Sequence, residues 1–334
     1  MLLRPPVTDD TEANAQFDTT IAAWADKSKL AHNLARYSRA EKSDRTRRWL
    51  RVERAYWVPP HRRRSVLLRD LGKLASAHGL KLRTDGGGSG ETEAVFLNGS
   101  GNEIMRLSLR NQAFVAIVID DLGYSMEKAR RVAALPCRLT CSVMPFTPSA
   151  RAVARLAAAS GKEVFIHMPM QPTYPLPSVP EYSIVLRSGQ SYDEVERRIQ
   201  RACGCIPGAA GMNNHEGSVA TEDRVLMAYV MTALKKRALV FLDSATTSRT
   251  LAWRVAKESG VPWARRQVFL DSERDPASVD KAFTGLVARA HSRGRAIAIG
   301  HPYPVTLDTL ERRVPEAIRQ GAEFVFVSSL TRVY

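Results

Sequence analysis

Six residues of chemically useful type stand at the ends of short apolar runs. Asp120 and Asp121 follow Val115–Ile119, and His167 follows Val164–Ile166. His215 lies in the segment beginning at Gly211, Asp243 follows Leu239–Leu242, and His301 follows Ala296–Gly300. Three of the seven histidines thus fall at one level of the chain's repeating pattern. Paired carboxylates are costly to bury without a cation or a shared proton. One aspartate and two histidines make a suitable three-ligand set for a catalytic divalent metal, with a position left open for water. A second aspartate beside such a set can act as general base.

The pattern that carries these residues is regular alternation. From Phe114 onward, apolar runs at Val115–Ile119, Leu139–Val143, Val164–Ile166, Leu239–Leu242, Ala296–Ile299 and Phe324–Val327 are separated by helical segments. Ser149 precedes one helix that Gly161 stops, Ser191 and Glu194 form a capping box, and Asp275-Pro276 opens a helix ending at Gly294. Continuous apolar strands joined by helices imply parallel strands covered on both sides. Six clear strands, with weaker ones near Gly211 and Val268, fit a barrel better than an open sheet. In such folds ligands bind at the carboxyl ends of the strands.

Other chemistries lack their motifs. No G-x-G-x-x-G follows the first strand, and no G-x-x-x-x-G-K-[ST] or G-x-S-x-G occurs. The aspartate pair lacks the spacing expected for aspartyl phosphotransfer. Cys137, Cys141, Cys203 and Cys205 are read as buried or loop thiols, since C-x-C is too tight for the usual zinc or redox spacing.

The net charge of +15 is uneven. Residues 27–69 hold 14 Lys+Arg against 3 Asp+Glu. Residues 1–54 are therefore expected to be a basic, partly helical or disordered arm. Its Arg45–Arg54 run and the His61–Arg64 cluster, with Trp49, Tyr56 and Trp57 nearby, could meet an anionic polymer or a membrane surface. Residues 55–111 read as a small α+β module, with a strand at Ala55–Val58, a helix at Ser65–His78 and strands at Leu80–Arg83, Glu93–Leu97 and Glu103–Leu109. Asp85–Gly90 reads as a flexible turn. The barrel occupies 112–334. No run of 18 apolar residues suits a transmembrane helix, and the first residues show no signal-peptide core.

Five segments resemble the divergent polysaccharide deacetylases, within the wider glycoside hydrolase/deacetylase barrel superfamily. They are Val115-Ala-Ile-Val-Ile-Asp-Asp-Leu-Gly123, Val164-Phe-Ile-His-Met-Pro-Met170, Gly211-Met-Asn-Asn-His-Glu-Gly-Ser218, Phe241-Leu-Asp-Ser244 and Ile297-Ala-Ile-Gly-His-Pro302, in that order. The resemblance spans roughly Phe114 to Tyr334. It implies an α/β fold, a distorted (β/α)7-type barrel, and a divalent metal, with zinc the first choice. It further implies Asp120 as base, Asp121 and His167 as ligands, and His301 as the acid that protonates the leaving group. Ordinary polysaccharide deacetylases carry a second histidine one helical turn after the first. Here position 171 is Gln, so the third ligand must come from elsewhere, and His215 is the choice. Asn214, Glu216, Ser218 and Asp243 at the same rim are the expected substrate contacts. The implied activity is metal-assisted hydrolysis of acetyl groups on a cell-envelope carbohydrate, in the periplasm or envelope. A glycan-binding protein that uses the same pocket without turnover is the alternative.

Overall fold

The computed structural model describes residues 8–31, 34–44, 46–59, 62–87 and 91–331. Expectations that rest on the first seven residues, Arg45, His61, the end of the Asp85–Gly90 run and the last three residues lie outside these ranges. The chain divides into two compact units. One runs to Ala113 and includes His291–Gly294; the other comprises Phe114–Ala290 and Arg295 onward.

The first unit holds β1 (Thr8–Asp9), α1 (Thr11–Lys27), β2 (Leu34–Ser43), β3 (Arg47–Val58), α2 (Arg64–Ala77), β4 (Lys81–Gly87), β5 (Glu91–Leu97) and β6 (Glu103–Asn111). These strands make one six-stranded sheet, in which β3 pairs with β1 and β6 on one side and antiparallel with β2 on the other. The expected arm over 1–54 is corrected here. Phe17, Ile21 and Trp24 of α1 and Leu50 and Val52 of β3 belong to one buried core with Leu67, Leu71, Phe96 and Leu107.

The error has a plain cause. Leu50, Val52, Tyr56 and Val58 are buried while the alternate Trp49, Arg51, Glu53 and Trp57 stay partly exposed, so a stretch that reads as a charge run is an amphipathic strand. Its cations meet acids from distant elements. Arg54 binds Asp18 at 2.7 Å, Arg47 binds Asp10 at 3.0 Å and Arg51 binds Glu103 at 3.0 Å. That pairing leaves the expectation of an arm that binds an anionic polymer or membrane surface without support.

The second unit is an α/β distorted barrel built on a curled sheet of parallel strands. In chain order it contains β7 (Ala113–Leu122), α3 (Met126–Ala134), β8 (Thr140–Val143), α4 (Ala150–Ala159), β9 (Glu163–Met170), α5 (Tyr192–Cys205), β10 (Gly211–Glu216) and α6 (Arg224–Lys235). Next come β11 (Val240–Asp243), α7 (Ala252–Ser259), β12 (Trp263–Arg265), β13 (Val268–Phe269), α8 (Pro276–Arg293), β14 (Arg295–Gly300), α9 (Pro304–Arg319) and β15 (Ala322–Phe324). The hydrogen-bonded order is β12-β11-β10-β9-β8-β7-β14-β13, with β15 also on β7. Strand β7 is central and parallel to both neighbours, and Val115–Ile119 are fully buried. The capping box at Ser191 forms, and the Asp275 carboxylate accepts the amide N–H groups of Ala277 and Ser278. All four cysteines are free. No helix among the described residues is long and apolar enough to cross a membrane.

The side-chain period of two decides what faces the barrel's interior. Ala116, Val118, Phe165, Leu242, Ile297 and Ile299 form one interior cluster. The interior is crowded: a Cβ on Gly211 would lie 2.5 Å from the Phe165 ring. Two residues further along the same strands come Asp120, His167, Asn213, Ser244 and His301. The apolar layers therefore end in a polar layer at the carboxyl rim.

Candidate functional site

Asp120 and Asp121 are neighbours, and a regular strand would aim them to opposite faces. The chain departs from regularity at this point. Asp121 adopts φ 56°, and the β7–β8 register shifts between Ile119 and Leu122. Such an irregularity re-aims a side chain, and both carboxylates join the site. Gly123 comes next but one at φ 122°, where a Cβ would stand 2.1 Å from the Thr147 hydroxyl oxygen. Only glycine lets the chain turn there.

Asp121, His167 and His215 offer one ligand atom each, all within 4.8 Å of one another. Asp121 Oδ1 lies 3.3 Å from His167 Nε2 and 3.0 Å from His215 Nδ1, and those two nitrogens are 3.0 Å apart. The other face of each imidazole is held. His167 Nδ1 is 3.0 Å from Asn213 Oδ1. The Asn213 amide nitrogen donates to both Asp120 oxygens, at 2.9 and 3.1 Å, and to Ser244 Oγ, so its oxygen faces His167 and Ser142 as an acceptor. His167 Nδ1 therefore carries the hydrogen, and its Nε2 presents a lone pair to Asp121 and His215. His215 Nε2 meets the Tyr182 hydroxyl at 3.0 Å, which leaves Nδ1 facing the same point.

Two observations fit a cation between these three side chains. Asp121 Oδ1 is buried and meets no donor at hydrogen-bonding geometry. Two lone-pair nitrogens 3.0 Å apart repel unless a cation or proton lies between them. The electrostatics agree. Burial opposes protonation of His167, but Asp120 and Asp121 outweigh it and raise its pKa to about 9. Burial likewise opposes ionisation of Asp121, yet the two imidazoles hold its carboxyl well below the usual range. A pocket that so favours positive charge suits a divalent ion with nitrogen and oxygen ligands.

Asp120 and His301 stand beside this group. Asp120 is 3% exposed and its Oδ2 lies 3.6 Å from His167 Nε2. His301 Nε2 is 3.8 Å from Asp121 Oδ2. Its Nδ1 faces Asp271 Oδ1 at 2.9 Å, while Asp271 Oδ2 accepts the His301 amide at 2.6 Å and the Thr306 hydroxyl at 2.8 Å. Burial pulls the His301 pKa down, but Asp271, Asp120 and Asp121 prevail and raise it above the ordinary value.

A cavity of about 450 Å³ opens over these groups, of the size that takes a small ligand. Asp120, His167, His215 and His301 line it, together with Asn214, Glu216, Ser218, Tyr174 and Arg266. Of the expected contacts, Asn214 is tied down, its amide accepting Ser244 N–H and donating to the Glu216 carbonyl. Glu216 Oε1 accepts the Tyr174 hydroxyl at 2.7 Å, and Ser218 Oγ accepts Thr173 N–H. Asp243 is not brought to the cavity. It alternates with the inward-facing Leu242 and Ser244, so it points out of the barrel. It is fully buried there and accepts from Ala245 N–H and the Thr250 hydroxyl. The expectation of Asp243 as a substrate contact is corrected accordingly.

Sequence reasoning left five participants without a role: Asn213, Asp271, Tyr174, Tyr182 and Arg266. Asp271 comes just after the two-residue strand β13, so the signal was present as Val268-Phe-Leu-Asp271. Asn213 could have been found by parity with His215. The tyrosines sit on the loop after β9, where no periodicity marks them.

Known proteins resemble the barrel unit. Residues 117–331 match the family model described as divergent polysaccharide deacetylase. A curated, uncharacterized protein of Haemophilus influenzae is 40% identical over 62% of this chain and 74% of its own length. The Escherichia coli protein YibQ, also uncharacterized, is 42% identical over 60% of this chain, and the chain spans 62% of YibQ. A crystal structure of an uncharacterized Agrobacterium tumefaciens protein superposes with a TM-score of 0.60 at 25% identity, covering 66% of this chain and 89% of that one. The match over most of the barrel, with its rim of aspartates and histidines, places the chain in the divergent polysaccharide deacetylase family.

Proposed function

We propose that the barrel hydrolyses acetyl groups from a carbohydrate of the cell envelope and depends on a divalent metal, with zinc the first choice. The convergence of Asp121, His167 and His215 between Asp120 and His301 carries this reading. A zinc ion held by those three side chains would polarise the acetyl carbonyl and acidify a water beside it.

The chain's own residues supply the proton transfers. Asp120, fixed by Asn213 through both oxygens, takes the proton of the attacking water. His301, whose pKa its carboxylate neighbours raise against burial and which Asp271 orients, gives a proton to the departing sugar nitrogen or oxygen. Asn214, Glu216 and Ser218 line the cavity in which the sugar is bound. The envelope location rests on the family, whose members are commonly envelope proteins.

The test is release of acetate from acetylated amino-sugar oligomers by purified protein, read beside its metal content. Zinc at about one ion per chain with acetate release supports the proposal. Zinc-loaded protein that binds the oligomers without releasing acetate would leave the glycan-binding alternative. Alanine at Asp121, His167 or His215 should each lower zinc occupancy, because a three-ligand site has no spare donor.

A further inference from the structure

We propose that two copies of this chain associate by antiparallel pairing of their β2 strands in one register, which places Ala40 opposite Ala40 of the second copy. Strand β2 is ten residues long and lies at an edge of the first unit's sheet. Its inner side pairs with β3, and no strand among the described residues pairs with its outer side. The residues along it are exposed, Leu34 and Tyr37 each at 42%. Such an edge presents a row of unmet N–H and C=O groups, a ready template for another strand.

The charges on β2 select the occupant. In a strand, only alternate residues direct their N–H and C=O outward, so residues directly opposite in a two-fold pair must both be odd-numbered or both even-numbered. Few registers satisfy this. Centred on Arg39, the pair sets Arg39 against Arg39 and Arg36 against Lys42. Centred on Glu41, it sets Glu41 against Glu41. Centred on Ser38, it brings no opposite charges together. Centred on Ala40, it sets Arg39 against Glu41 twice by symmetry. Opposite charges directly across a strand pair stabilise it and like charges destabilise it.

Present partners do not prevent this pairing. Glu41 lies 3.8 Å from Arg48 and Arg36 lies 3.7 Å from Glu53, long contacts at exposed positions that contribute little. The opposite edge strand, β4, is shorter and runs into glycine, and its Arg83 and Asp85 already pair with each other at 3.1 Å. The charges that discourage indiscriminate edge pairing on β2 therefore permit one self-complementary match.

Sedimentation of the full chain across concentration should show a reversible dimer. Arg39→Glu and Glu41→Arg should each weaken it by about tenfold or more, since each turns two attractive pairs into repulsive ones. The double variant Arg39→Glu/Glu41→Arg should restore it. Directly opposed residues have Cα atoms about 4.5–5.5 Å apart, within disulfide range. Ala40→Cys should therefore cross-link copies on oxidation, and Ser38→Cys and the wild-type chain should not. Thermal melts control for folding, and unchanged melting of these exposed variants is expected. A monomer at all concentrations overturns the proposal. So does a dimer that the double swap fails to restore, or one in which Ala40→Cys stays uncross-linked.

Discussion

Under the proposed function Asn213 supports both the metal site and the base, and its two ends can be tested separately. Its oxygen fixes the His167 tautomer at 3.0 Å, and its nitrogen holds both Asp120 oxygens at 2.9 and 3.1 Å. Asn213→Ala removes both. Partners that orient a metal-bound histidine are each worth roughly 10–100-fold in metal affinity, so zinc should bind that much more weakly. The buried hydroxyls of Ser142 and Ser244 also lose a partner, at a cost of about 1–3 kcal/mol in stability. Asn213→Asp keeps an acceptor for His167 Nδ1 but replaces the donor to Asp120 with a second carboxylate. Zinc affinity should then stay within a few-fold of wild type. Hydrolysis should fall by about 10²–10⁴-fold, because two adjacent carboxylates share a proton and the base is lost. Competition titration against a zinc chelator, run beside acetate release and a thermal melt, reads both ends. If Asn213→Ala binds zinc as tightly as wild type while remaining folded, the assignment of the His167 tautomer is wrong.

Three further outcomes follow from named contacts. His301 must be protonated to act as acid, and its pKa is raised, so activity should fall as pH rises through that value; Asp271→Asn should move this alkaline limb to lower pH, and an unmoved limb would count against the pair. His301→Ala should retain zinc while losing hydrolysis, which metal analysis beside acetate release would check. Asp18→Ala should destabilise the first unit by about 3–5 kcal/mol, because it strands the Arg54 guanidinium in an environment where the pair is only 11% and 8% exposed. A denaturant titration with little change in midpoint would mean that α1 is not part of the core.

The features legible in the sequence and those hidden from it divide along physical lines. The barrel strands were legible because parallel strands covered on both faces are continuous apolar runs, and the residues just past the end of each run stand at the rim. Asp243 was misread because rim position alone does not choose a face. The period of two already puts it opposite to Leu242, outside the barrel. Asp121 obeys the contrary logic. Parity would turn it away, and only the backbone turn at φ 56°, invisible in the residue types, brings it back. Asp271 was missed because β13 is two residues long, so the run Val268-Phe-Leu before it gave only a weak rim signal. The arm failed for a different reason. Arg47, Arg51 and Arg54 read as solvated charge until the acids that pair with them are known, and Asp10, Asp18 and Glu103 are far away in the chain.

The missing second histidine is explained by the loop after β9. A ligand one helical turn after His167 requires helix there, but strand β9 continues to Met170 and the chain then runs Gln171-Pro172. Proline removes the amide that a helix interior needs. Under the proposed function the neighbouring strand would supply the ligand instead. In the β9–β10 register Asn213 lies opposite His167, so His215 stands two residues further up on the same face. That offset dictates which nitrogen each ring must use. His167, the lower of the two, reaches upward with its distal Nε2, and His215, the higher, reaches back with its proximal Nδ1, and the two meet at 3.0 Å. Both backbones are fixed by the sheet, so the pair is held more firmly than a loop would hold it. The segment after β9 carries Tyr174 and Tyr182, whose hydroxyls engage Glu216 and His215 Nε2. Asp121, His167 and His215 thereby converge from three different strands.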